Sequence, residues 1–404
     1  MAVGLAAPEN LLPVPGIRLS AVSAGIGKPG RHDLVLMELA EGTGTAAVFT
    51  RNRFCAAPVH VAKEHLSGGG IRYLLINTGN ANAGTGARGH RDALACCEAL
   101  ARAADCPPSA VLPFSTGVIG EPLPVDRIVV AIPAALDRLD AGGWLQAANG
   151  ILTTDTLAKA VSRTLPLSGQ TVTITGMAKG AGMIRPDMAT MLAFVATDVS
   201  LTPDLRDRAL RDAVNASFNR ITVDGDTSTN DACVLAATGV SGVSLDQVDD
   251  DYRAFVDALR AVCVQLAQAI VRDGEGATRF ITIRVEGGAT EREAAKVAYT
   301  IAHSPLVKTA FFAGDPNWGR ILAAIGRAGI DDLDVQRVRI LLDDLLLAEH
   351  GGRADGYTET AAARLMAQEE VTVGVELGRG GATTTVWTCD FSYEYVRINA
   401  EYRT

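Results

Sequence analysis

The chain has 404 residues, of which 48% are hydrophobic and 21% are charged, and this composition predicts a folded enzyme with a large core in one or two domains. A formal net charge of −9 without any lysine- or arginine-rich run argues against a nucleic-acid partner. The seven cysteines form no CxxC and the six histidines no HExxH, so the sequence predicts reduced thiols and no metal site. The N-terminus lacks the basic and apolar regions of a secretory signal, and no apolar run reaches the roughly 18 residues of a membrane helix, which predicts a cytoplasmic protein without a membrane partner.

Strands and helices alternate in the first third of the chain. Asp33–Ala40 and Thr45–Thr50 are predicted to be paired strands around a Gly-Thr-Gly turn, and Ile71–Asn77 is a further strand. His90–Asp105 carries apolar residues at helical spacing. This alternation predicts an α/β fold.

A glycine-rich loop joins that last strand to the helix. Gly84, Gly86 and Gly89 formally match the GxGxxG pattern of dinucleotide-binding proteins. However, asparagines dominate the loop, and earlier strands precede it, whereas the dinucleotide motif normally opens its fold. The sequence therefore favours a structural asparagine–glycine turn over a nucleotide site.

Val111–Gly120 is predicted to be a short strand that runs into Ser115-Thr116-Gly117. A strand that ends in Thr-Gly can present successive backbone N–H groups to a cavity, and acyl transfer needs such donors because charge develops on oxygen. Taken alone, Thr-Gly is a common turn, so this pattern is only a weak indication of such a donor site.

Two predicted helices, Val125–Leu139 and Gly143–Ile151, lead into Thr153-Thr154-Asp155-Thr156. Threonine and aspartate are typical of caps and turns, so the simplest prediction for this stretch is a capped turn.

The chain is organised around Lys179–Leu192 (KGAGMIRPDMATML), which lies between the predicted strands Thr171–Thr175 and Thr190–Thr197. Thr190 is a candidate nucleophile, since a cut at the preceding peptide bond would give it an α-amine with an unperturbed pKa of roughly 7.7–8.0. That amine can take the hydroxyl proton, and the hydroxyl can itself make the cut. The alternative is that Thr190 is only a β-branched strand residue. Lys179 is either a carboxylate anchor or an exposed loop charge.

A predicted amphipathic helix, Pro203–Phe218, precedes the polar stretch Ile221–Asp231 (ITVDGDTSTND). The aspartates of this stretch suggest a calcium-binding loop. An EF-hand is rejected because Thr229 stands where the loop needs glycine and Leu235 where it needs glutamate. These side chains are expected to satisfy backbone groups in a buried turn, and a role beside an active site stays open.

A long predicted helix, Asp251–Val271, is followed by Glu275, an unfavourable charge for the C-terminal end of a helix and hence a hint of function. Trp318 is expected to pack in the core. The alternation of Val396, Ile398 and Ala400 predicts that Tyr395–Thr404 is an edge strand. The remaining predicted helices and strands are Ala294–His303, Leu306–Phe312, Val338–Leu342, Val371–Leu377 and Thr383–Thr388.

The central stretch resembles the self-cleavage motif of the ornithine acetyltransferase family, also called the bifunctional glutamate N-acetyltransferases, at every fixed position. The resemblance covers nearly the whole chain. It implies an α/β fold with mixed β-sheets layered between helices, similar to that of related self-cleaving aminopeptidases. It also implies cleavage between Ala189 and Thr190 into an α part, Met1–Ala189, and a β part, Thr190–Thr404, assembled as two copies of each.

The same resemblance implies roles for individual residues. Thr190 would be the nucleophile, and Thr116 and Gly117 would form the oxyanion hole. Lys179 would pair with the substrate α-carboxylate and Glu275 with its amine. The implied substrate contacts are Thr156, Lys179, Thr190, Glu275, Asn399 and Thr404. The family has an Asn-Ala-Asn turn at this place, which favours the structural role of Asn80-Ala81-Asn82. One departure from the family is Gly84, where many relatives carry cysteine.

The implied activity moves an acetyl group from N2-acetyl-L-ornithine to L-glutamate in arginine biosynthesis, through an acetyl-threonine intermediate and without a cofactor. Whether acetyl-CoA is a second donor stays open, because both types of enzyme share these motifs. Two other hypotheses remain: a self-cleaving aminopeptidase or amidohydrolase, and a non-enzymatic binding protein in which Thr190 is only structural.

Overall fold

A computed structural model describes residues 2–27, 29–185 and 191–401 of the chain. Two compact units are present. The large unit contains residues 6–219 and 226–270, and the small unit contains residues 2–5, 220–225 and 271–401. Each unit has its own sheets and its own hydrophobic core.

The strands of the large unit, in chain order, are β1 Ile17–Val22, β2 Leu34–Leu39, β3 Gly44–Phe49, β4 Tyr73–Asn80, β5 Val111–Val118, β6 Lys159–Leu167, β7 Gln170–Lys179, β8 Leu192–Thr197, β9 Ser200–Leu201, β10 Ala232–Ala237 and β11 Ser244–Leu245. Its helices are α1 Ala57–Gly68, α2 Gly86–Ala103, α3 Val125–Asp137, α4 Trp144–Gly150, α5 Pro203–Ala216 and α6 Asp250–Arg272, whose last two residues fall in the small unit.

Two sheets face each other in the large unit, with strand orders β1-β2-β4-β5 and β3-β10-β8-β7-β6. Alternate residues of β2 point in opposite directions: Val35 and Met37 join the core between the sheets, whereas Leu34 and Leu36 join the core beneath α2 and α3. Burial on both faces explains why every residue of β2 except Glu38 is apolar. Across the sheets, Phe114 and Phe194 meet edge to face with ring centroids 5.1 Å apart.

Helix α6 covers the other sheet. A Cβ atom at Gly176 of β7 would lie 3.1 Å from Leu266 and 3.4 Å from Val262 of this helix, so the two elements pack closely. By length and composition α6 is apolar enough to cross a membrane, but Phe255, Leu259 and the two residues just named are buried, as in a core helix. The predicted fold class, mixed sheets layered between helices, is confirmed.

One predicted strand pairing is wrong. Strands β2 and β3 do not pair around the Gly-Thr-Gly turn, because β2 lies between β1 and β4 in one sheet while β3 pairs with β10 in the other. Both strands were predicted correctly as strands. Their partners come from distant parts of the chain, and local hydrophobic periodicity carries no information about which strand will supply them.

The small unit contains a sheet of strand order β15-β14-β13-β16-β12-β17, with its core between this sheet and its helices. Strand β16 buries every second residue, as a sheet with one solvated face requires. Trp318, predicted to be a core residue, begins α9 and is partly buried against this core. The elements are β12 Phe280–Gly288, β13 Arg339–Leu342, β14 Leu345–Glu349, β15 Gly352–Arg353, β16 Glu370–Glu376, β17 Ala382–Cys389, α7 Glu291–Ala302, α8 Pro305–Ala313, α9 Trp318–Gly326, α10 Glu359–Met366 and α11 Tyr393–Glu401.

The C-terminal segment was predicted wrongly as an edge strand, since Tyr393–Glu401 is helix α11. Val396, one of the alternating apolar residues, is 66% exposed, so the alternation does not reflect burial. The informative spacing is instead i, i+4, i+7: Phe391 stacks on Tyr395 with centroids 4.5 Å apart, and Ile398 is the next half-buried residue.

The cysteines behave as predicted. All seven are free, and five are buried. Burial raises the pKa of the Cys96 thiol to about 12. They therefore act as small apolar core residues.

Candidate active site

Lys179 and Thr116 lie together in the large unit. Lys179 is the last residue of β7 and is 9% exposed, and its Nζ donates a hydrogen bond of 3.3 Å to Oγ1 of Thr116 on β5. Burial rules out the alternative that Lys179 is an exposed loop charge. Two residues that the resemblance assigns to one site are thus brought into contact.

Gly117 is required by the close approach of β4. It has a φ of 136°, and a Cβ atom there would lie 2.3 Å from the carbonyl carbon of Gly79 and 2.6 Å from the nitrogen of Asn80. The register of β4 and β5 shifts at this point. Such a bulge frees backbone groups from the ladder and re-aims them, which suits a strand end that supplies oxyanion donors.

Asn230, near the end of the polar stretch, braces this strand end. Nδ2 of Asn230 donates to the carbonyl oxygens of Ala81 at 2.5 Å and Ser115 at 2.9 Å. In turn, Oγ of Ser115 donates to Oδ1 of Asn77 at 2.6 Å. The prediction that side chains of this stretch satisfy backbone groups is confirmed for Asn230.

The asparagine turn after β4 is also held by its own amides. Asn80 donates through Nδ2 to the carbonyl oxygens of Glu121 and Pro122, and Asn82 donates to that of Gly89 at 2.8 Å. A Cβ atom at Gly89 would lie 1.9 Å from Oγ1 of Thr85, so this glycine serves packing. These contacts support the structural interpretation over a nucleotide site.

Asp155, which the sequence suggested only as a turn residue, is a fully buried carboxylate. It accepts hydrogen bonds from Nζ of Lys159 at 2.8 Å and from the backbone N–H of Gly180 at 2.6 Å. Burial by itself would raise the pKa of this carboxyl, but the charges of Lys159 and Lys179 and these hydrogen bonds hold it below its usual value. Thr156, the predicted substrate contact, is the exposed residue next to it.

Asp231 is a second buried carboxyl near Lys179 that the sequence did not single out. It is 2% exposed, and burial raises its pKa well above the usual value, although Lys179 and hydrogen bonds from Ser228 and the Met191 N–H oppose this. Its Oδ2 atom has no hydrogen-bond partner among the described residues. The only sequence signal was its place in a run of polar residues before an apolar strand.

In the small unit, Glu275 and Asn399 meet although 124 residues separate them. Nδ2 of Asn399 donates to Oε2 of Glu275 at 2.8 Å, and Glu275 is 8% exposed. The loop and α11 approach so closely that a Cβ atom at Gly276, which has a φ of 70°, would lie 2.4 Å from the nitrogen of Tyr395. Two further predicted substrate residues are therefore in contact.

The predicted cleavage residues Ala189 and Thr190 and the predicted contact Thr404 lie outside the described residues. Within the part of the chain that is described, no group of three or more His, Cys, Asp or Glu side chains is placed to hold a metal ion. The buried polar side chains named above in the large unit are two carboxyls, two lysines and a hydroxyl: Asp155, Asp231, Lys159, Lys179 and Thr116.

A family model described as the ArgJ family matches residues 18–404. The chain belongs to the ArgJ family. Over 408 aligned residues it is 54% identical to the arginine biosynthesis bifunctional protein ArgJ of Pseudomonas syringae pv. tomato, and the match covers 100% of both chains. Membership confirms the predicted resemblance and favours the transferase hypothesis over the hydrolase and binding-protein alternatives.

Solved structures of ArgJ relatives match part of the chain. The crystal structure of arginine biosynthesis bifunctional protein ArgJ from Bacillus halodurans is 41% identical, with a TM-score of 0.51, and the match covers 53% of this chain and 100% of that one. Ornithine acetyltransferase from Mycobacterium tuberculosis, solved as a complex with ornithine, is 35% identical, with a TM-score of 0.39, covering 44% of this chain and 94% of that one.

Proposed function

We propose that this ArgJ protein transfers an acetyl group from N2-acetyl-L-ornithine to L-glutamate in arginine biosynthesis. The observation that carries the proposal is the buried hydrogen bond from Lys179 to Thr116, in a chain 54% identical over its whole length to a bifunctional arginine-biosynthesis protein. Because that relative is named a bifunctional protein, we propose that this chain also has a second activity, with acetyl-CoA as the acetyl donor.

Thr190 is the proposed nucleophile and its α-amine the base. The amine takes the hydroxyl proton while Oγ attacks the acetyl carbonyl carbon, and the bond to the ornithine nitrogen breaks as that nitrogen gains the proton. The amine of glutamate then attacks the acetyl carbon of the acetyl-threonine ester, and the bond from that carbon to Oγ breaks. The proton lost by the glutamate nitrogen passes through the α-amine to Oγ, so N-acetylglutamate leaves and the Thr190 hydroxyl is restored. Ornithine and glutamate share an α-amino-acid head, so one pocket serves both half-reactions.

The Thr116 hydroxyl and the Gly117 N–H are the proposed oxyanion donors. Since a threonine hydroxyl carries one proton and two acceptor lone pairs, a hydrogen bond from Lys179 to its oxygen leaves the Thr116 proton for the developing oxyanion. The ammonium also makes the Thr116 hydroxyl a stronger donor by withdrawing charge from it. Lys179 thus has a proposed second role beside the substrate carboxylate.

The remaining substrate contacts are proposed from the resemblance and supported by local geometry. The amide of Asn399 orients the Glu275 carboxylate, which suits a group that binds an amine. Thr156 lies exposed next to the buried Asp155–Lys159 pair. Thr404 completes the proposed set.

Self-cleavage between Ala189 and Thr190 is proposed as the step that creates the α-amine. Strands β7 and β8, one on each side of this bond, pair antiparallel with Lys179 opposite Leu192, so the two parts would stay joined in one sheet after a cut. Residues 190–404 make up about 53% of the chain, the same share that the whole solved Bacillus halodurans chain matches. Assembly as two copies of each part and a cytoplasmic location stay predictions.

A donor panel tests the proposal. Purified protein is incubated with glutamate and either N2-acetylornithine or acetyl-CoA, and N-acetylglutamate and acetate are quantified by mass spectrometry, with Thr190→Ala as the inactive control. We expect N-acetylglutamate from acetylornithine. Release of acetate at a rate independent of glutamate would instead identify a hydrolase and overturn the proposed function.

A further inference from the structure

Lys308 is a fully buried lysine of the small unit that the proposed mechanism does not use. It lies on α8 and is 1% exposed. Its ammonium donates hydrogen bonds to Oγ1 of Thr388 at 2.9 Å and to the carbonyl oxygen of Cys389. The same group lies 4.5 Å from the ring centroid of Phe391. The partners of this ammonium thus come from one short stretch, residues 388–391, which we call the junction segment.

The backbone of Lys308 holds the junction segment as well, because its carbonyl oxygen accepts a hydrogen bond of 3.3 Å from the N–H of Phe391. Burial lowers the pKa of this lysine, whereas nearby Cys389, Asp390 and Asp224 oppose the shift. Taking an ammonium out of water is costly, so an apolar side chain would serve better if this place needed only packing. What the lysine adds is a set of directional donors on the junction segment.

The junction segment also holds the loop that carries Glu275. The buried carboxylate of Asp390 accepts hydrogen bonds from the N–H of Thr278 at 2.8 Å and from its hydroxyl at 2.5 Å. Just after the segment, Oγ of Ser392 donates to the carbonyl oxygen of Gly276 at 2.5 Å. The segment is therefore bound both to α8 and to this loop.

Helix α11 depends on the junction segment for its position. None of the described side chains of this helix, Tyr393–Glu401, is fully buried, so it has no core contact of its own to fix it. Phe391 stacks on Tyr395 near the start of the helix, with ring centroids 4.5 Å apart. Further along, Nδ2 of Asn399 donates to Oε2 of Glu275 at 2.8 Å. A shift of the junction segment would move Asn399 away from the carboxylate that it orients.

We propose that Lys308 is a positioning residue for substrate binding, which fixes the junction segment and thereby holds Asn399 of α11 against Glu275. The inference rests on the proposed function, in which Glu275 binds the substrate amine. Lys308 acts through Asn399 and is assigned no substrate contact. Its loss should therefore affect KM more than kcat.

The test measures steady-state kinetics of acetyl transfer from acetylornithine to glutamate on cleaved, folded protein. Lys308→Met keeps an unbranched side chain of similar length and removes the ammonium. Because a misplacement of about 1 Å can cost about 10²-fold, we expect kcat/KM to fall by about 10–10²-fold, mainly through a higher KM. A wild-type KM in Lys308→Met overturns the proposal.

Ile340→Ala is the matched control for a general loss of stability. Ile340 is fully buried in the core of the same unit, but it lies on β13, which two strands separate from β17, the strand that runs into the junction segment. This variant should lower the unfolding temperature and leave KM near the wild-type value. An equal rise of KM in Ile340→Ala would show that lost stability alone is sufficient, and the proposal would be wrong.

A double-mutant cycle separates positioning from a purely structural role. If Lys308 acts through Asn399, Lys308→Met should raise KM much less in the Asn399→Ala background than in the wild type, because residues on one route are not additive. Full additivity contradicts this route.

Thr388→Val decides the question if Lys308→Met does not fold. It removes one hydrogen-bond partner of the ammonium at nearly constant volume, and KM should rise in the same direction by a smaller factor. An unchanged KM in that variant would refute the proposal. If the wild type makes no N-acetylglutamate from acetylornithine, the proposed function fails; if it does and these variants keep the wild-type KM, only this inference is lost.

Discussion

The ammonium nitrogen of Lys179 and the hydroxyl oxygen of Thr116 lie 3.3 Å apart, although 63 residues separate them in the sequence. Lys179 ends a strand of one sheet of the large unit, and Thr116 lies near the end of a strand of the other. Burial raises the pKa of both Asp155 and Asp231, and the charge of Lys179 opposes this; the net pKa is lowered for Asp155 and stays raised for Asp231. One buried cation therefore links the proposed oxyanion donor to two acids.

Thr116→Ala should lower kcat for acetyl transfer by about 10²–10³-fold, because loss of one oxyanion donor typically has this effect. Thr116→Ser, which keeps the hydroxyl, is the control and should retain most activity. Steady-state kinetics with acetylornithine and glutamate on cleaved, folded protein measure the difference. An unchanged kcat in Thr116→Ala would remove this residue from the site.

Lys179→Met should couple with Thr116→Ala if Lys179 acts through Thr116. Each single variant is expected to lower kcat, and the double variant should lower it by much less than the product of the two factors, because contacting residues are not additive. A double-mutant cycle on kcat measures this coupling. Full additivity would mean that Lys179 acts on the substrate carboxylate alone.

Thr190→Ala should leave one full-length chain on a denaturing gel, whereas Thr190→Ser should still be cut, more slowly. N-terminal sequencing of the new fragment should read TMLAFV. A different new terminus, or a cut in the alanine variant, would contradict a mechanism in which the Thr190 hydroxyl makes the break.

Asp155→Asn should destabilise the large unit by about 3–5 kcal/mol, because it leaves the Lys159 ammonium buried without its counter-charge. The pKa of Asp155 is lowered in the folded state, so its contribution to stability is present above the unfolded pKa of about 3.9 and is lost as pH falls through the folded value. Thermal unfolding measured between pH 3 and pH 7 should therefore show a difference in stability between wild type and variant that becomes smaller only at the acid end of this range.

The matched control for Asp155→Asn is Asp250→Asn, which breaks a surface ion pair with Arg253 whose two side chains are 100% and 63% exposed. Exposed pairs contribute about 0–1 kcal/mol, so this variant should unfold close to the wild-type temperature. Equal losses of stability in Asp155→Asn and Asp250→Asn would contradict the larger contribution expected of the buried pair.

Asn399→Ala should raise KM for acetylornithine and glutamate, because Glu275 loses the amide that orients its carboxylate. Asn399→Asp would place a second carboxylate next to Glu275 and should raise KM further. Deletion of Arg403 and Thr404 is expected to impair kinetics in the same direction without affecting self-cleavage. Unchanged kinetics in the deletion would show that the tail makes no substrate contact.

The sequence by itself determined many elements of the large unit and the family to which the chain belongs. Hydrophobic patterns of period two and period 3.6 predicted six elements to within a few residues, because the pattern reflects which side chains are buried: β4, β5, β7, α2, α3 and α6. The KGAGMIRPDMATML stretch was enough to predict the family, because it matches the family's motif at every fixed position. The resemblance to that family, rather than any pattern of burial, is what singled out Lys179, Thr116, Glu275 and Asn399.

Tertiary structure alone decided which residues meet. Strands β2 and β3 are adjacent in sequence yet belong to different sheets, because each pairs with whichever distant strand completes its ladder. The alternation of apolar residues in α11 suggested a strand. The structure shows that Phe391, just before the helix, stacks on Tyr395 within it, so burial follows helical spacing instead. Asp155 and Asp231 looked like ordinary turn residues, since their burial and the nearness of Lys179 come from packing rather than from the local sequence.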